Sequence, residues 1–272
     1  MSNPVTSKAT VCIVNYKTPD FIKLCLRSIR KFTTYPYEVI VVDNNSQDQS
    51  VEYLRALKWI RLFERPKSET EPGGGYAHAA ALDLGLDNCN TEFFVSMHSD
   101  TFVIRKNWLR ELVSYFDNDE SIACVGAGKV ELTAKWRVLL KRAADLRTFK
   151  RRLFGQSDPA GKHRYYNRTI CCLYATEILR RQNLTFLMGR NEGLTAGKKL
   201  YFELVDRGYK TVELPAEIMG RYIVHLAHAT QAVNPQEFTL RKRTVRKCNR
   251  LVDRVMSTTT VRDILADNSL DT

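Results

Sequence analysis

The chain has 272 residues, 44% of them hydrophobic and 26% charged, and a formal net charge of +12. No apolar run approaches the roughly 20 residues that cross a bilayer, and the start lacks the basic-then-apolar pattern of a secretory signal. The seven cysteines show no CxxC spacing, which argues against a disulfide framework or a zinc knuckle. We therefore expect a cytoplasmic protein, and its positive charge favours anionic partners such as nucleotides, nucleic acid or an acidic membrane surface.

The first part of the chain alternates buried-strand and helix patterns, which predicts a parallel sheet with crossover helices. The helix at 21–32 is predicted to begin after a capping Asp20, and a glycine run leads into the third helix. Strands are predicted at 9–16, 38–43, 59–63, 93–97 and 122–126, and helices at 21–32, 50–57 and 72–86.

The later part of the chain is less regular. Residues 168–182 predict a strand and a helix, and residues 195–215 predict a helix, a Gly208-Tyr209 turn and a strand. Two basic stretches, 135–155 and 239–256, have apolar residues at helical spacing. Such a helix docks on its own domain or another subunit, or lies on an acidic membrane surface. The last seven residues, 266–272, are predicted to be disordered.

Polar residues follow two of the predicted strands. His98 and Asp100 come after the 93–97 strand, and Asp43 ends the 38–43 strand. Ligands of open α/β sheets bind beyond the carboxyl ends of the strands, so a carboxylate and an imidazole at such an end can hold a divalent metal. The alternative for both places is an ordinary polar turn.

The segments TVCIVNYKTPDFIKLCLRSI and VIVVDNNSQDQS, a glycine-rich helix start and a strand that ends in HSD together resemble a family 2 glycosyltransferase. The resemblance covers residues 10–103 and extends weakly to 215. It implies the GT-A fold, an α/β, Rossmann-like, mostly parallel sheet flanked by helices, here with a basic helical C-terminal extension.

The resemblance also implies a division of the chain. A glycosyltransferase domain would occupy residues 1–232, with its nucleotide-sugar-binding half at 10–126 and its acceptor-side half at 127–232. The basic extension would be 233–272. We expect that extension to contact the acceptor, a membrane surface or a second copy of the chain.

The same resemblance assigns residues to the nucleotide-sugar donor. Asn15 and Tyr16 would lie beside the nucleotide base, and Asp43 would accept a hydrogen bond from the base or the ribose. Gly74 and Gly75 would let the backbone approach the donor closely, although loop flexibility alone also explains such glycines.

The HSD triplet falls where the family carries Asp-x-Asp, with histidine at the first acidic position. The resemblance makes Asp100 a metal ligand, His98 a second ligand or a ribose contact, and Ser99 part of the donor site. His225 or His228 would complete the metal shell, and their alternative is a hydrogen-bonded pair. Mixed imidazole and carboxylate ligands favour Mn²⁺ over Mg²⁺, and three histidine ligands would make zinc a rival.

The family's Glu-Asp pair before the Gly-Tyr turn is missing, because residues 196–197 are alanine and glycine. An inverting transferase needs a carboxylate to deprotonate the acceptor hydroxyl. Glu192 is the first candidate. Glu203 and Asp206 lie within the predicted helix, where pairing with basic neighbours is the simpler interpretation. The missing pair leaves open a retaining mechanism or an inactive relative.

The sequence thus predicts a metal-dependent glycosyltransferase that moves a sugar from a nucleotide-diphosphate donor, a UDP-sugar, to a saccharide, lipid or protein hydroxyl, with inversion. A nucleotidyltransferase is a weaker alternative because a glycine-rich phosphate loop does not follow the first strand. A nucleic-acid-binding protein is the alternative from another class, suggested by the net charge and the stretch KHRYYNR at 162–168.

Overall fold

The structure is a computed structural model that describes residues 8–66, 71–117, 119–128 and 166–272. The predicted basic helix at 135–155 lies outside these residues, as does most of the stretch at 162–168. The proposed acceptor-side half, 127–232, is therefore described mainly from residue 166 onward.

The strands up to residue 128 follow runs of β-branched and aromatic residues, which suit a pleated, buried surface. Their bounds lie close to the predicted ones, and one short strand was not predicted. They are β1 (Ala9–Asn15), β2 (Tyr37–Asp43), β3 (Ile60–Glu64), β4 (Phe93–His98), the unpredicted β5 (Thr101–Val103) and β6 (Ile122–Gly126).

The helices of the same region connect these strands. They are α1 (Pro19–Phe32), α2 (Gln49–Ala56), α3 (Gly74–Asp87) and α4 (Trp108–Ser114). The prediction that Asp20 caps α1 is wrong, because the helix begins at Pro19 and Asp20 lies in its first turn. Proline suits a first helical position because its φ is already fixed near the helical value.

The second part of the chain adds short strands and helices. The predicted strand–helix and helix–turn–strand units are both present there. The elements are β7 (Cys171–Ala175), α5 (Thr176–Arg181), α6 (Lys198–Asp206), β8 (Lys210–Glu213), α7 (Ala216–Met219), β9 (Ile223–His225), α8 (Ala229–Val233), α9 (Lys242–Met256) and α10 (Thr259–Ala266), followed by a 3₁₀ turn at Asn268–Asp271.

The described residues form a main sheet of seven strands in the order β3-β2-β1-β4-β7-β6-β8, and β5 pairs with β9 in a separate two-stranded sheet. The first four strands of the main sheet run parallel, and β7 is antiparallel to both of its neighbours. This mostly parallel sheet flanked by helices confirms the predicted α/β fold. The parallel pairing places the carboxyl ends of β1, β2 and β4 at one edge of the sheet.

Helices cover both faces of the sheet because successive side chains of a strand point to opposite faces. Ile13 packs with Ile22 of α1 on one face. Its neighbour Cys12 packs with Leu82 of α3 on the other. Helix α3 comes so close that a Cβ added to Gly85 would lie 2.3 Å from the Cys12 Sγ.

Helix α9 packs its apolar side on its own domain. Cys248 and the neighbouring apolar side chains contact a cluster that contains Phe21 of α1 and Leu226. The basic side chains of α9 face solvent. Of the alternatives given for residues 239–256, docking of the helix on its own domain is the one that agrees with this packing of its apolar side.

The prediction of disorder for residues 266–272 is wrong, because this segment binds a buried arginine. Arg27 is 1% exposed. Its Nε donates a hydrogen bond of 2.9 Å to Asp271 Oδ1, and an Nη donates one of 2.7 Å to Asn268 Oδ1. A buried cation requires such partners, so the C-terminal turn is held against α1.

Each of the seven cysteines is free and buried. That agrees with the absence of a disulfide framework expected from their spacing. Of the described helices, none combines the length and the apolar character needed to cross a membrane.

Candidate functional site

Two sheets meet at the site. The main sheet ends with Asn15, Asp43 and His98 at neighbouring strand ends. The small β5–β9 sheet pairs Thr101 with His225. Because Asp100 directly precedes β5, this pairing brings His225, from far along the chain, next to Asp100 at the carboxyl edge of the main sheet.

His98, Asp100 and His225 form the one group among the described residues whose side chains could hold a metal ion together. Their ligand atoms all lie within 4.8 Å of one another. The Asp100 Oδ1 lies 3.4 Å from the His225 Nε2 and 3.8 Å from the His98 Nδ1. That oxygen is buried and has no hydrogen-bond partner among the described residues. A buried carboxylate oxygen without a donor fits a cation, so the residues suit a divalent metal.

The protonation states at this cluster also suit a metal. Burial is the main cause that lowers the pKa of His98 to about 3. Burial raises the pKa of Asp100, but His225 and His98 offset this effect, and the pKa is lowered overall. His98 is therefore neutral and Asp100 ionised near neutral pH, which are the forms that coordinate metals.

A second histidine, His78 on α3, supports His98. The His98 Nε2 lies 3.2 Å from the Thr169 hydroxyl, and the His78 Nε2 lies 3.4 Å from the same hydroxyl. The two imidazole rings meet edge to face with centroids 4.8 Å apart. Contacts of this kind fix the orientation of a ligand ring and leave Nδ1 facing Asp100.

The sequence analysis missed His78 and Thr169. The signal for His78 was its position one helical turn after Gly74, on the side of α3 that faces the site. Nothing near Thr169 in the sequence indicated a role, because its contact with His98 depends on the antiparallel pairing of β7 with β4.

His228 does not join the metal cluster. It lines the same cavity, but its Nδ1 lies 3.0 Å from the Gln231 side chain, and it is not one of the mutually close ligand atoms. A role for His228 as a metal ligand therefore stays a prediction that this placement does not support. Of the two late histidines, His225 is the one that the β5–β9 pairing brings to Asp100.

The cluster opens into a cavity of about 640 Å³, a size typical of small-ligand sites. Five residues that the sequence analysis assigned to the donor line it: Tyr16, Gly74, Gly75, His98 and Ser99. The glycine run forms the start of α3 at its wall. The cavity thus joins the predicted donor residues to the metal cluster.

Asn15 and Asp43 do not line this cavity. The Asn15 Nδ2 donates a hydrogen bond of 2.7 Å to Asp43 Oδ1, and the Ser46 backbone N–H donates one of 2.9 Å to Asp43 Oδ2. Asp43 is 1% exposed. The contacts of Asp43 are therefore those of a residue that stabilises a polar turn. The next residue, Asn44, lines the cavity.

The segment after α8 lies across one side of the cavity. The Tyr16 hydroxyl donates a hydrogen bond to Glu237, and the Tyr16 and Phe238 rings meet edge to face with centroids 6.3 Å apart. A Cβ added to Gly74 would lie 3.3 Å from the Phe238 ring. The beginning of the proposed 233–272 extension is therefore part of the cavity wall.

Comparison with known proteins identifies the family. The sequence model described as glycosyl transferase family 2 matches residues 10–183, more than half of the chain. The chain belongs to glycosyl transferase family 2. The matched range includes β1 to β7 and the His98 and Asp100 positions.

Two curated relatives match shorter stretches. The O-antigen chain rhamnosyltransferase RfbN of Salmonella typhimurium (strain LT2) is 29% identical over 118 residues, which cover 43% of this chain and 36% of that protein. The teichoic acid poly(glycerol phosphate) polymerase of Staphylococcus epidermidis is 24% identical over 94 residues, which cover 35% of this chain and 13% of that protein. The chain thus spans about a third of the first relative and less of the second.

Solved structures of similar fold cover more of the chain. A mannosyltransferase from Pyrobaculum calidifontis in complex with GDP-Man and Mn²⁺ has a TM-score of 0.52 and 20% identity, covering 76% of this chain and 54% of its own. Residues 1–349 of S. aureus TarS have a TM-score of 0.51 and 17% identity, covering 93% and 72%. Glucosyl-3-phosphoglycerate synthase from Mycobacterium tuberculosis has a TM-score of 0.50 and 18% identity, covering 91% and 80%. These similarities show the shared fold.

This family 2 member has no acidic pair where the resemblance expects one, and the candidate replacements lie outside the cavity. The Glu192 side chain is 58% exposed, and its carboxylate lies 3.7 Å from Lys199 Nζ. Glu203 pairs with Arg207 at 3.0 Å. Asp206 is exposed at the end of α6. The structure therefore does not bring Glu192 or Glu203 to the metal cluster, and their catalytic role stays a prediction.

Proposed function

We propose that this chain is a metal-dependent glycosyltransferase that moves a sugar from a UDP-sugar to an acceptor hydroxyl. The observation that carries the proposal is the group of His98, Asp100 and His225 at the carboxyl edge of the sheet, open to a cavity of about 640 Å³. Ligands of open α/β sheets bind at this edge. Membership of glycosyl transferase family 2 supports the reaction class.

The metal that we propose is Mn²⁺, held by His98, Asp100 and His225. When bound, it would act as a Lewis acid that neutralises charge on the diphosphate leaving group. Two imidazoles and a carboxylate suit Mn²⁺ better than Mg²⁺. The structures of the mannosyltransferase and of the glucosyl-3-phosphoglycerate synthase both contain Mn²⁺, which supports this choice.

The chain's own residues would hold the donor. Tyr16 would contact the base, and Gly74 and Gly75 would allow the donor to approach the start of α3. Asn15 and Asp43 would support the donor site indirectly. Their hydrogen bonds fix the loop after β2, which places Asn44 at the cavity wall.

Inversion is also part of the proposal, and it requires a base. Apart from Asp100, the described carboxylates on the cavity wall are Glu71, which pairs with Arg65, and Glu237, which pairs with Lys17. A paired carboxylate is a weak base. Glu192 remains the first candidate, and it would have to move toward the cavity to act.

We further propose that the solvent-facing side of α9 contacts an acidic membrane surface. Lys242, Arg246, Arg250 and Arg254 recur at every fourth residue and are exposed, so they form one stripe along the helix. The apolar side of α9 is already packed on its own domain. Electrostatic contact through this stripe is thus favoured over oligomer formation through the apolar side.

Release of free nucleotide from a panel of UDP-, GDP- and TDP-sugars tests the proposed reaction. The panel is incubated with a total lipid and glycan extract as acceptor, with and without Mn²⁺. UDP release that needs Mn²⁺ and extract together supports the proposal. Release from GDP- or TDP-sugars would correct the donor. No release, together with salt-sensitive binding to oligonucleotides, would favour the nucleic-acid alternative.

A further inference from the structure

The cavity wall contributed by the second part of the chain carries two arginines that have no carboxylate partner among the described residues. Arg168 precedes β7 and Arg190 lies in the loop before α6, and both line the cavity. Neither has a salt bridge to any residue that the structure describes. Of the cavity-lining carboxylates, Glu71 pairs with Arg65, Glu237 pairs with Lys17, and Asp100 belongs to the candidate metal cluster with His98 and His225.

Arg190 is held in a constrained position. Its Nη1 donates a hydrogen bond of 2.5 Å to the Leu194 carbonyl. Its Nη2 lies 2.6 Å from the point where a Cβ on Gly75 would stand, so the guanidinium packs closely against the start of α3. Its Nε is buried without a hydrogen-bond partner among the described residues. Leaving a buried N–H group of a charged side chain without an acceptor costs free energy. A bound ligand can remove this cost by supplying an acceptor.

Arg168 lines the same cavity as Arg190. Its guanidinium carbon is 5.6 Å from the centre of the Tyr166 ring, and no carboxylate of the described residues pairs with it. Burial is the main cause that lowers the pKa of both histidines, and the positive charge of Arg168 adds to this effect at His98, as that of Arg190 does at His78. The two arginines are therefore near two histidines whose rings contact each other.

The neighbouring helix start lacks the negative charge that the resemblance expects. Thr195 and Ala196 line the cavity there, and Gly197 precedes α6. The family's acidic pair would fall at residues 196–197. In this chain that wall instead combines neutral side chains with two arginines, so its charge is positive.

We infer that Arg168 and Arg190 form a subsite for an anionic group, a phosphate or a carboxylate, on the acceptor. This inference rests on the proposed function and names the acceptor's chemical class. Both arginines come from the part of the chain assigned to the acceptor, whereas the donor residues come from β1, β4 and the start of α3. Arginine's planar fork of donors matches phosphate and carboxylate oxygens.

The test uses the wild-type protein saturated with UDP and Mn²⁺, so that the donor site is filled. Methyl phosphate and acetate are titrated calorimetrically into this complex. We expect binding of at least one of the two probes, and the stronger probe identifies the acceptor's anion. Arg168→Gln and Arg190→Gln should each raise the Kd of that probe at least tenfold, and Arg190→Lys should give an intermediate value. UDP affinity should stay within threefold.

Arg181→Gln is the matched control, because Arg181 is exposed on α5 and lies outside the cavity. Equal probe binding by wild type and by both glutamine variants would overturn the inference. So would a tenfold loss of UDP affinity in those variants, which would assign the arginines to the donor diphosphate. Absence of UDP binding in the wild type would instead count against the proposed function, and the acceptor subsite would fall with it.

Discussion

The Asp100 Oδ1 lies 3.4 Å from the His225 Nε2, although the two residues are far apart in sequence. Asp100 and His225 come together because β9 pairs antiparallel with β5, and β5 begins directly after Asp100. The main sheet alone provides only His98 and Asp100. The small second sheet supplies the third candidate ligand, so the integrity of the β5–β9 pairing and metal affinity should be linked.

Glu192→Gln tests the candidate base. Because Glu192 is the proposed base, we expect Glu192→Gln to lower kcat at least 100-fold with little change in donor affinity. A positioned general base contributes about 10²- to 10⁴-fold. Steady-state kcat and KM with the best donor measure the effect. A kcat within about twofold of wild type would instead remove Glu192 as the base, in agreement with its exposed position outside the cavity.

Glu203→Gln is the companion variant on α6. Glu203 pairs with Arg207 one turn later, so we expect no change in kcat and a small loss of stability, about 0.3–0.5 kcal/mol. Thermal unfolding and the same kinetic assay measure both. A kcat effect larger than that of Glu192→Gln would reverse the order of the two candidates.

The C-terminal turn should contribute measurably to stability. Asp271→Asn removes the charge that partners the buried Arg27, and we expect the free energy of unfolding to fall by about 2 kcal/mol. Partial burial raises the pKa of Asp271, but hydrogen bonds from Arg27 and Tyr53 lower it overall. The contribution is therefore present above the ordinary carboxyl pKa and is lost as pH falls below it.

Denaturant unfolding of wild type and Asp271→Asn between pH 7 and pH 3 checks this prediction. The difference between the two proteins should shrink as the pH falls. Asp263→Asn, an exposed position on α10, serves as the control and should change little. A difference that grows toward low pH would contradict the sign of the pKa shift.

The close packing of α3 on β1 predicts the effect of a single added methyl group. Gly85→Ala would place a Cβ 2.3 Å from Cys12 Sγ, and overpacking of this kind costs about 1–3 kcal/mol. Asp87→Ala on the exposed side of the same helix should stay within about 0.5 kcal/mol of wild type. Denaturant unfolding measures both, and an equal or more stable Gly85→Ala would show that α3 can move away from the sheet.

The basic stripe of α9 predicts binding to acidic membranes. Replacing Arg246, Arg250 and Arg254 by glutamine removes three charges, each worth about 1 kcal/mol at an anionic surface, so binding to phosphatidylglycerol vesicles should weaken about 100-fold. Vesicle sedimentation at low and high salt measures this.

A control variant carries the same number of replacements elsewhere, at the exposed Lys58, Arg181 and Arg221. It should bind vesicles almost as well as wild type. Equal loss in both variants would show that net charge alone, rather than the α9 stripe, attracts the membrane.

The fold was predictable because its signals are local. Each strand of the parallel sheet is an apolar run, and each crossover helix shows helical spacing, so element order and class followed from the sequence. Strand ends were predictable for the same reason, and His98 and Asp100 were placed at one of them. The error at Asp20 was also local. Helix α1 begins at Pro19, one residue before the predicted cap.

The rest of the site depends on contacts between distant segments. His225 was predicted only through the resemblance, and the β5–β9 pairing that positions it involves two strands of three residues each. Arg190 approaches Gly75, which lies in a distant segment of the chain. The final residues look polar and disordered by composition, and their order comes from Arg27, a partner that the local pattern does not reveal.

The central claim is that Asp100 belongs to a metal site that binds the donor nucleotide. Calorimetric titration of UDP into wild type and Asp100→Asn, each with and without Mn²⁺, tests it directly, with the exposed Asp206→Asn as the control. We predict that Mn²⁺ tightens UDP binding at least tenfold in wild type and in the control and has no effect in Asp100→Asn. Mn²⁺-dependent UDP binding that survives in Asp100→Asn would contradict the account.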